Sequence, residues 1–188
     1  ILFKGYFALP EKTKETVDKD GWLHSGDIAM ILPEHGNAFK IIDRVKNIFK
    51  LQQGEYVAPE KIENKLAKCS YVEQIFVYGD SLQNYLVGIL VPKPDPVIKF
   101  LKSKGIEATK DNYKDYFDNK DLILDILNEI EEFSRNNDIK GFEIVKNVYL
   151  SKEAFTVDNN LLTTTMKIKR HIAKKYFEKE IEKLYEEK

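Results

Sequence analysis

A single cysteine, Cys69, stands in the 188-residue sequence. A lone thiol can form neither an internal disulfide nor a cysteine-based zinc site, and this usage fits a reducing compartment. His24, His35 and His171 lie far apart, without metal-ligand spacing, so no metal site is expected. Charge of one sign is not in excess: 30 basic and 31 acidic side chains nearly cancel. A dedicated nucleic-acid binder shows a clear basic surplus, so no nucleic-acid partner is expected. No apolar run reaches transmembrane length; the best, near 75–78 and 85–91, have strand length and are broken by turns. Internal repeats and low-complexity segments are missing as well. The opening Ile1-Leu2-Phe3-Lys4-Gly5-Tyr6 has no initiator Met and no signal-peptide layout, as a cut within a longer protein, tag removal or processing would leave it.

What is present suffices for a core. Hydrophobic residues make up 43% and charged residues 32% of the chain, and the length fits one full domain plus part of another. Residues 1–42 read as turns and short strands. Pro10 opens a short helix over 11–16, and Asp18-Lys19-Asp20-Gly21 is a turn. Apolar runs at 27–32 and 38–42, joined by Pro33-Glu34-His35-Gly36-Asn37, read as a β-hairpin. A domain boundary is expected at Asp43, giving domains 1–42 and 43–188.

Beyond it, strands are expected at 48–51, 55–57, 72–78, 85–91 and 146–150. Pro59 sits at a helix start, with Ile62, Leu66 and Cys69 along one face. Further helices are expected at 97–103, at 121–135 with Asp121 at its N-terminus, and at 170–185. The segment 105–119 looks like an insertion. The alternation implies an α+β protein with a small mixed sheet backed by helices.

Four stretches have the residue types for chemistry. In Trp22-Leu23-His24-Ser25-Gly26-Asp27, Gly26 permits a tight bend and Asp27 opens a strand. A carboxylate there can accept two hydrogen bonds from a ribose diol, though a plain turn with a capping Asp is the commoner meaning. Arg44, Lys46 and Lys50 form a basic run suited to phosphate oxygens, or simply a solvated loop. In Lys50-Leu51-Gln52-Gln53-Gly54-Glu55-Tyr56-Val57-Ala58-Pro59-Glu60, Gly54 permits a positive φ or a close backbone approach to a ligand. The hydroxyl-rich Asn159-to-Thr165 segment, read as flexible, leads to Lys167, a mobile point charge able to stabilise developing negative charge. The cluster of Lys167, Lys169, Arg170, Lys174 and Lys175 is otherwise a solvated helix start or, less favoured, a nucleic-acid patch.

Together these stretches resemble the adenylate-forming acyl-activating superfamily, and within it the long-chain fatty acyl-CoA synthetases of eukaryotes. The resemblance runs from about Gly5 to about Tyr185 and places the chain at the C-terminal end of a longer enzyme. Residues 1–42 would be the end of the large domain's β subdomain, and 43–188 the mobile C-terminal domain. It implies that Asp27 holds the ATP ribose, with Ser25 where the usual motif has Thr. Arg44 would contact ribose and phosphate, Lys46 and Lys50 would lie near the nucleotide, and Asp43 would be the hinge. Gly54, Glu55 and Tyr56 would line the CoA channel. Lys167 matches the late catalytic lysine, in a motif ending Lys-Ile-x-Arg. Thr165-Met166 stands where many relatives have Ser-Gly, and Thr164 where the long-chain branch commonly has Pro.

The implied activity is ATP-dependent fatty acid–CoA ligation: acyl-AMP formation, then thioester formation with CoA. ATP, Mg2+ and CoA are the implied cofactors and co-substrates, and a long-chain fatty acid the implied partner. Peripheral membrane contact and the cytosolic face of a membrane such as the endoplasmic reticulum follow from the resemblance alone. The superfamily's Ser/Thr/Gly-rich phosphate loop does not occur in the sequence. The competing readings are a non-catalytic interaction module of the same fold, and an adenylate-forming ligase for another carboxylic acid.

Overall fold

The computed structural model describes residues 2–186. Two compact units divide at Ile48 and Phe49. In the first, Pro10 sits in the first turn of α1 (Pro10–Thr16). Its fixed φ suits that turn, and its missing N–H is not needed there. The hairpin follows as β1 (Asp27–Leu32) and β2 (Ala38–Arg44), antiparallel, with a bulge at Ile28/Ala29. A 3-10 turn, Pro33–His35, joins them and ends at Gly36, whose φ of 68° favours a residue free of a Cβ penalty. Strand β2 extends to Arg44, so Asp43 lies inside the strand rather than after it. Asp43 is buried, whereas Met30, Ile31, Phe39 and Ile41 of the hairpin are exposed.

The second unit opens with a two-stranded ribbon, β3 (Phe49–Lys50) and β4 (Tyr56–Val57). Helix α2 (Pro59–Leu66) starts at once behind it. The central sheet has order β5 (Val72–Tyr78), β6 (Leu86–Pro92), β7 (Val145–Leu150). β5 pairs antiparallel with β6, and β7 pairs parallel with it. That parallel step needs a crossover, supplied by α3 (Pro94–Ser103) and α4 (Lys120–Asn136). One sheet face packs Ile62 and Leu66 of α2, Leu101 of α3, and Leu122, Ile126 and Ile130 of α4. The other face packs Phe155, Leu161 and Leu162 with Phe177 and with Ile181 and Leu184 of the last helix. Every residue of β6 is buried because both its faces are covered. Gly88 fits this crowding: an added Cβ would sit 3.3–3.4 Å from Val145, Ile75 and Val148.

Several expectations change. The expected last helix is two, α5 (Arg170–Tyr176) and α6 (Glu178–Glu186), separated at Phe177. Asn119, not Asp121, caps α4, its side chain accepting from the Leu122 amide. The 105–119 segment is not a loose insertion: Ala108, Tyr113 and Phe117 enter the first core. Helix α2 stops before Cys69, which is buried in the following turn. Among the described residues, no helix is long and apolar enough to cross a membrane.

Candidate functional site

In the first unit the register of the hairpin sets Asp27 opposite Arg44. The Arg44 Nε lies 3.3 Å from an Asp27 carboxylate oxygen. The two residues expected at a ribose are thus neighbours, across strands rather than along the sequence. Both are partly exposed, so their mutual attraction is modest and each remains reachable by a polyhydroxyl ligand. Asp43 uses its Oδ1 to accept from the Arg44 amide at 2.7 Å and from Asn47 Nδ2 at 2.9 Å. It thereby fixes the turn that leaves β2. Lys46 is exposed in that turn.

In the second unit Lys50 lies on β3, with its ammonium 5.7 Å from the centre of the Tyr56 ring on β4. The turn between them is closed by Leu51 N donating to Glu55 O at 2.8 Å and Gly54 N donating to Leu51 O at 2.9 Å. Gly54 has φ of 94°, which a side chain would strain. Gln52 N and Gln53 Nε2 donate to the carbonyls of Gln83 and Asn84, tying the turn to the β5–β6 connection. Its flanks, Leu51, Val57 and Pro59, are buried, while Glu55 and Tyr56 are exposed. The loop is therefore a braced ridge with an exposed tip.

The Lys167 segment is not the flexible run expected from its hydroxyls. Leu162 and Ile168 form an antiparallel bridge. Thr163 N donates to Lys167 O at 2.8 Å, and Lys169 N to Leu161 O at 2.9 Å. Lys167 N donates to Thr163 Oγ1 at 3.1 Å, and the Thr163 and Thr165 hydroxyls lie 2.9 Å apart. Met166 takes a φ of 62° at the tip. The Lys167 ammonium, on a side chain 65% exposed, lies 3.8 Å from Glu60 in the first turn of α2.

Beneath this turn is a groove of about 210 Å³ lined by Glu60, Glu63, Met166, Lys167 and Arg170 among others. Glu63 and Arg170 form a buried ion pair at its base. Burial pushes the Glu63 carboxyl up to about 7, against the lowering influence of Arg170 and the Val77 amide. The sequence reading gave neither Glu63 nor Glu60 a role. The available signal was a carboxylate at 63, between the apolar positions Ile62 and Leu66 of a helix. Among the described residues there is no group of three or more His, Cys, Asp or Glu side chains able to hold a metal ion.

Residues 46–188 match the model of the AMP-binding enzyme C-terminal domain. The chain is 48% identical to human long-chain-fatty-acid–CoA ligase 6 over 184 residues, 98% of this chain and 26% of that ligase. It is 46% identical to Arabidopsis thaliana peroxisomal long chain acyl-CoA synthetase 6 over 187 residues, again 26% of the relative. Among solved structures, the adenylation domain of a Mycobacterium chelonae carboxylate reductase superposes with a TM-score of 0.82 and 31% identity, covering 99% of this chain and 26% of that one. The corresponding domain from Segniliparus rugosus, in complex with AMP and a co-purified carboxylic acid, gives 0.82 and 28%, covering 98% and 26%. The chain spans about a quarter of the length of these curated relatives. With the braced ridge and the lysine turn set beside a three-stranded mixed sheet in its second unit, and with residues 46–188 matched, the chain belongs to the AMP-binding enzyme C-terminal domain family.

Proposed function

We propose that this chain is the C-terminal part of an AMP-forming long-chain fatty acid–CoA ligase. The observation that carries this is the 48% identity to a long-chain ligase over 98% of the chain. The complex of a structural relative with AMP and a carboxylic acid supports the nucleotide and acid half of it.

In this reading the fatty carboxylate attacks the α-phosphate of ATP, and pyrophosphate leaves. Charge builds at phosphorus and must be met by placed cations, because phosphoryl chemistry depends on positioning and electrostatics. Lys167 supplies one, carried on a turn whose backbone is closed by hydrogen bonds. Asp27 and Arg44, already adjacent, hold the ribose side of the nucleotide. Lys46 and Lys50 add positive charge near the phosphates. Mg2+, if bound, would come with the substrate phosphates and would offset their charge. In the second half-reaction the CoA thiol attacks the acyl-AMP carbonyl and AMP leaves. The exposed tip of Gly54, Glu55 and Tyr56 then lines the path of the pantetheine arm. Exchange between the halves is a rotation of 43–188 about Asp43, whose side chain ties the end of β2 to the outgoing turn. The same reading carries peripheral contact with the cytosolic face of a membrane such as the endoplasmic reticulum.

The test is Lys167→Ala in the full-length ligase, with the half-reactions measured separately. ATP- and fatty-acid-dependent pyrophosphate release should fall by about 100-fold or more, while thioester formation from supplied acyl-AMP and CoA stays near the parent rate. Equal losses in both would remove Lys167 from the adenylation step.

A further inference from the structure

The Lys167 side chain has little to hold it by itself. Its turn is narrow, its side chain is largely exposed, and its nearest charge is Glu60 at 3.8 Å. What fixes the base of the turn is Arg170, at the start of α5. Arg170 Nη2 pairs with Glu63 Oε2 on α2, and Nη1 donates to the Val77 carbonyl at 3.1 Å. The guanidinium also lies 5.4 Å from the Phe76 ring centre. The other Glu63 oxygen accepts from the Val77 amide at 2.7 Å.

Val77 belongs to β5, the edge strand of the three-stranded sheet. Its amide and carbonyl are the kind of edge groups that normally face a further strand or water. Here a carboxylate and a guanidinium take that place, one for the donor and one for the acceptor. The pair thus joins three elements, α2, β5 and α5, at one buried point. A planar cation whose two Nη groups reach two different acceptors fixes orientation as well as distance.

We propose that Glu63 and Arg170 are positioning residues that set the Lys167 turn against α2, acting on the adenylation half-reaction through Lys167. This rests on the assignment of Lys167 as the adenylation lysine. Only Ile168 and Lys169 separate Lys167 from Arg170, and the Leu162–Ile168 bridge closes the turn on itself. A shift of Arg170 is therefore passed to Lys167 with few torsions to absorb it. Misplacement of a reacting group by about 1 Å can cost on the order of 100-fold in rate.

The experiment uses the full-length ligase with Arg170→Lys, Glu63→Gln, Lys167→Ala and the double variant Lys167→Ala/Arg170→Lys. Arg170→Lys keeps the charge and removes the fork; Glu63→Gln keeps the shape and an acceptor for the Val77 amide. For each single variant of the pair, kcat of pyrophosphate release should fall about 10- to 100-fold. KM for ATP, and thioester formation from supplied acyl-AMP, should stay within about threefold. In the Lys167→Ala background, Arg170→Lys should cost adenylation nothing further, because its effect runs through the missing lysine. Equal losses in the two half-reactions, or full additivity in the double variant, overturn the proposal and leave the pair as core glue. Should Lys167→Ala alone spare adenylation, the lysine assignment itself fails, a result distinct from these two. If Arg170→Lys does not fold, Glu63→Gln and its own Lys167→Ala double variant carry the same comparison.

Discussion

Met166 shows how a single backbone angle can be at odds with its side chain. It sits at φ of 62°, a region that costs a side chain with a Cβ about 1–2 kcal/mol. The resemblance puts Gly at this position in many relatives, and Gly would carry the angle without that cost. The turn keeps its shape because Met166 N donates to Thr163 O at 2.9 Å and the flanking bonds close around it. Met166→Gly should therefore raise stability by about 0.5–1 kcal/mol, the strain relief exceeding the extra chain entropy of glycine. Urea denaturation of the two proteins measures this, and a less stable glycine variant would show that the Met side chain contributes more by packing than it costs in strain. This strain was not legible from composition. Thr163, Thr164 and Thr165 suggested a flexible run, because hydroxyl side chains compete for backbone bonds in many ways. Here Thr163 makes one of those choices definite by accepting from Lys167 N. Glu63 was equally hidden: its partner is 107 positions away, and no local pattern points to it.

Among the elements, the β3–β4 ribbon gives the plainest test of a loop's shape. Gly54 has space around it, since an added Cβ would meet only the Lys50 side chain at 3.7 Å. Its φ of 94° is the constraint. Gly54→Ala should cost about 1 kcal/mol or more locally and reshape the tip that presents Glu55 and Tyr56. In the full-length ligase the expected result is a several-fold rise in KM for CoA with pyrophosphate release unchanged, read by steady-state kinetics. A rise in KM for ATP of the same size would move the loop's role to the nucleotide. Most elements were legible from apolar spacing and punctuation: the hairpin from its two apolar runs around Pro33–His35, and α2 from Pro59. The break at Phe177 was not, because the apolar stripe runs on through Ile181 and Leu184. Tertiary packing decides it. Phe177 leaves helical geometry, with ψ of 24°, and is buried with its ring 5.8 Å from that of Phe155. Asp121, read as charging or capping α4, does stand in its first turn, but the cap lies elsewhere. Asn119, two positions earlier, has the extended backbone a cap needs and reaches the Leu122 amide.

At the scale of the whole molecule, the Glu63–Arg170 pair couples folding to pH. The Glu63 carboxyl rises from 4.5 to about 7 on folding, chiefly through burial. A raised acid favours the folded state while protonated. Its contribution is complete below the unfolded value and is lost as pH climbs through the folded one. Between about pH 4.5 and about pH 7 the chain should therefore lose stability relative to a Glu63→Gln variant, by at most about 1.4 kcal/mol per pH unit. Parallel denaturation of the two proteins from about pH 5 to about pH 8 gives the difference directly. A difference that stays level across that range would mean that Arg170 keeps Glu63 ionised throughout.

The first unit has a different consequence. Its two-stranded ribbon shows Met30 and Ile31, neighbours that point to opposite sides, together with Phe39, which is 74% exposed. A ribbon of two strands on its own is marginally stable at best in water. A ribbon bare in this way presents the same kind of surface as unfolded chain. Chaperones and proteases continuously sort such surfaces, so any state of the chain that leaves this ribbon bare is one they would recognise.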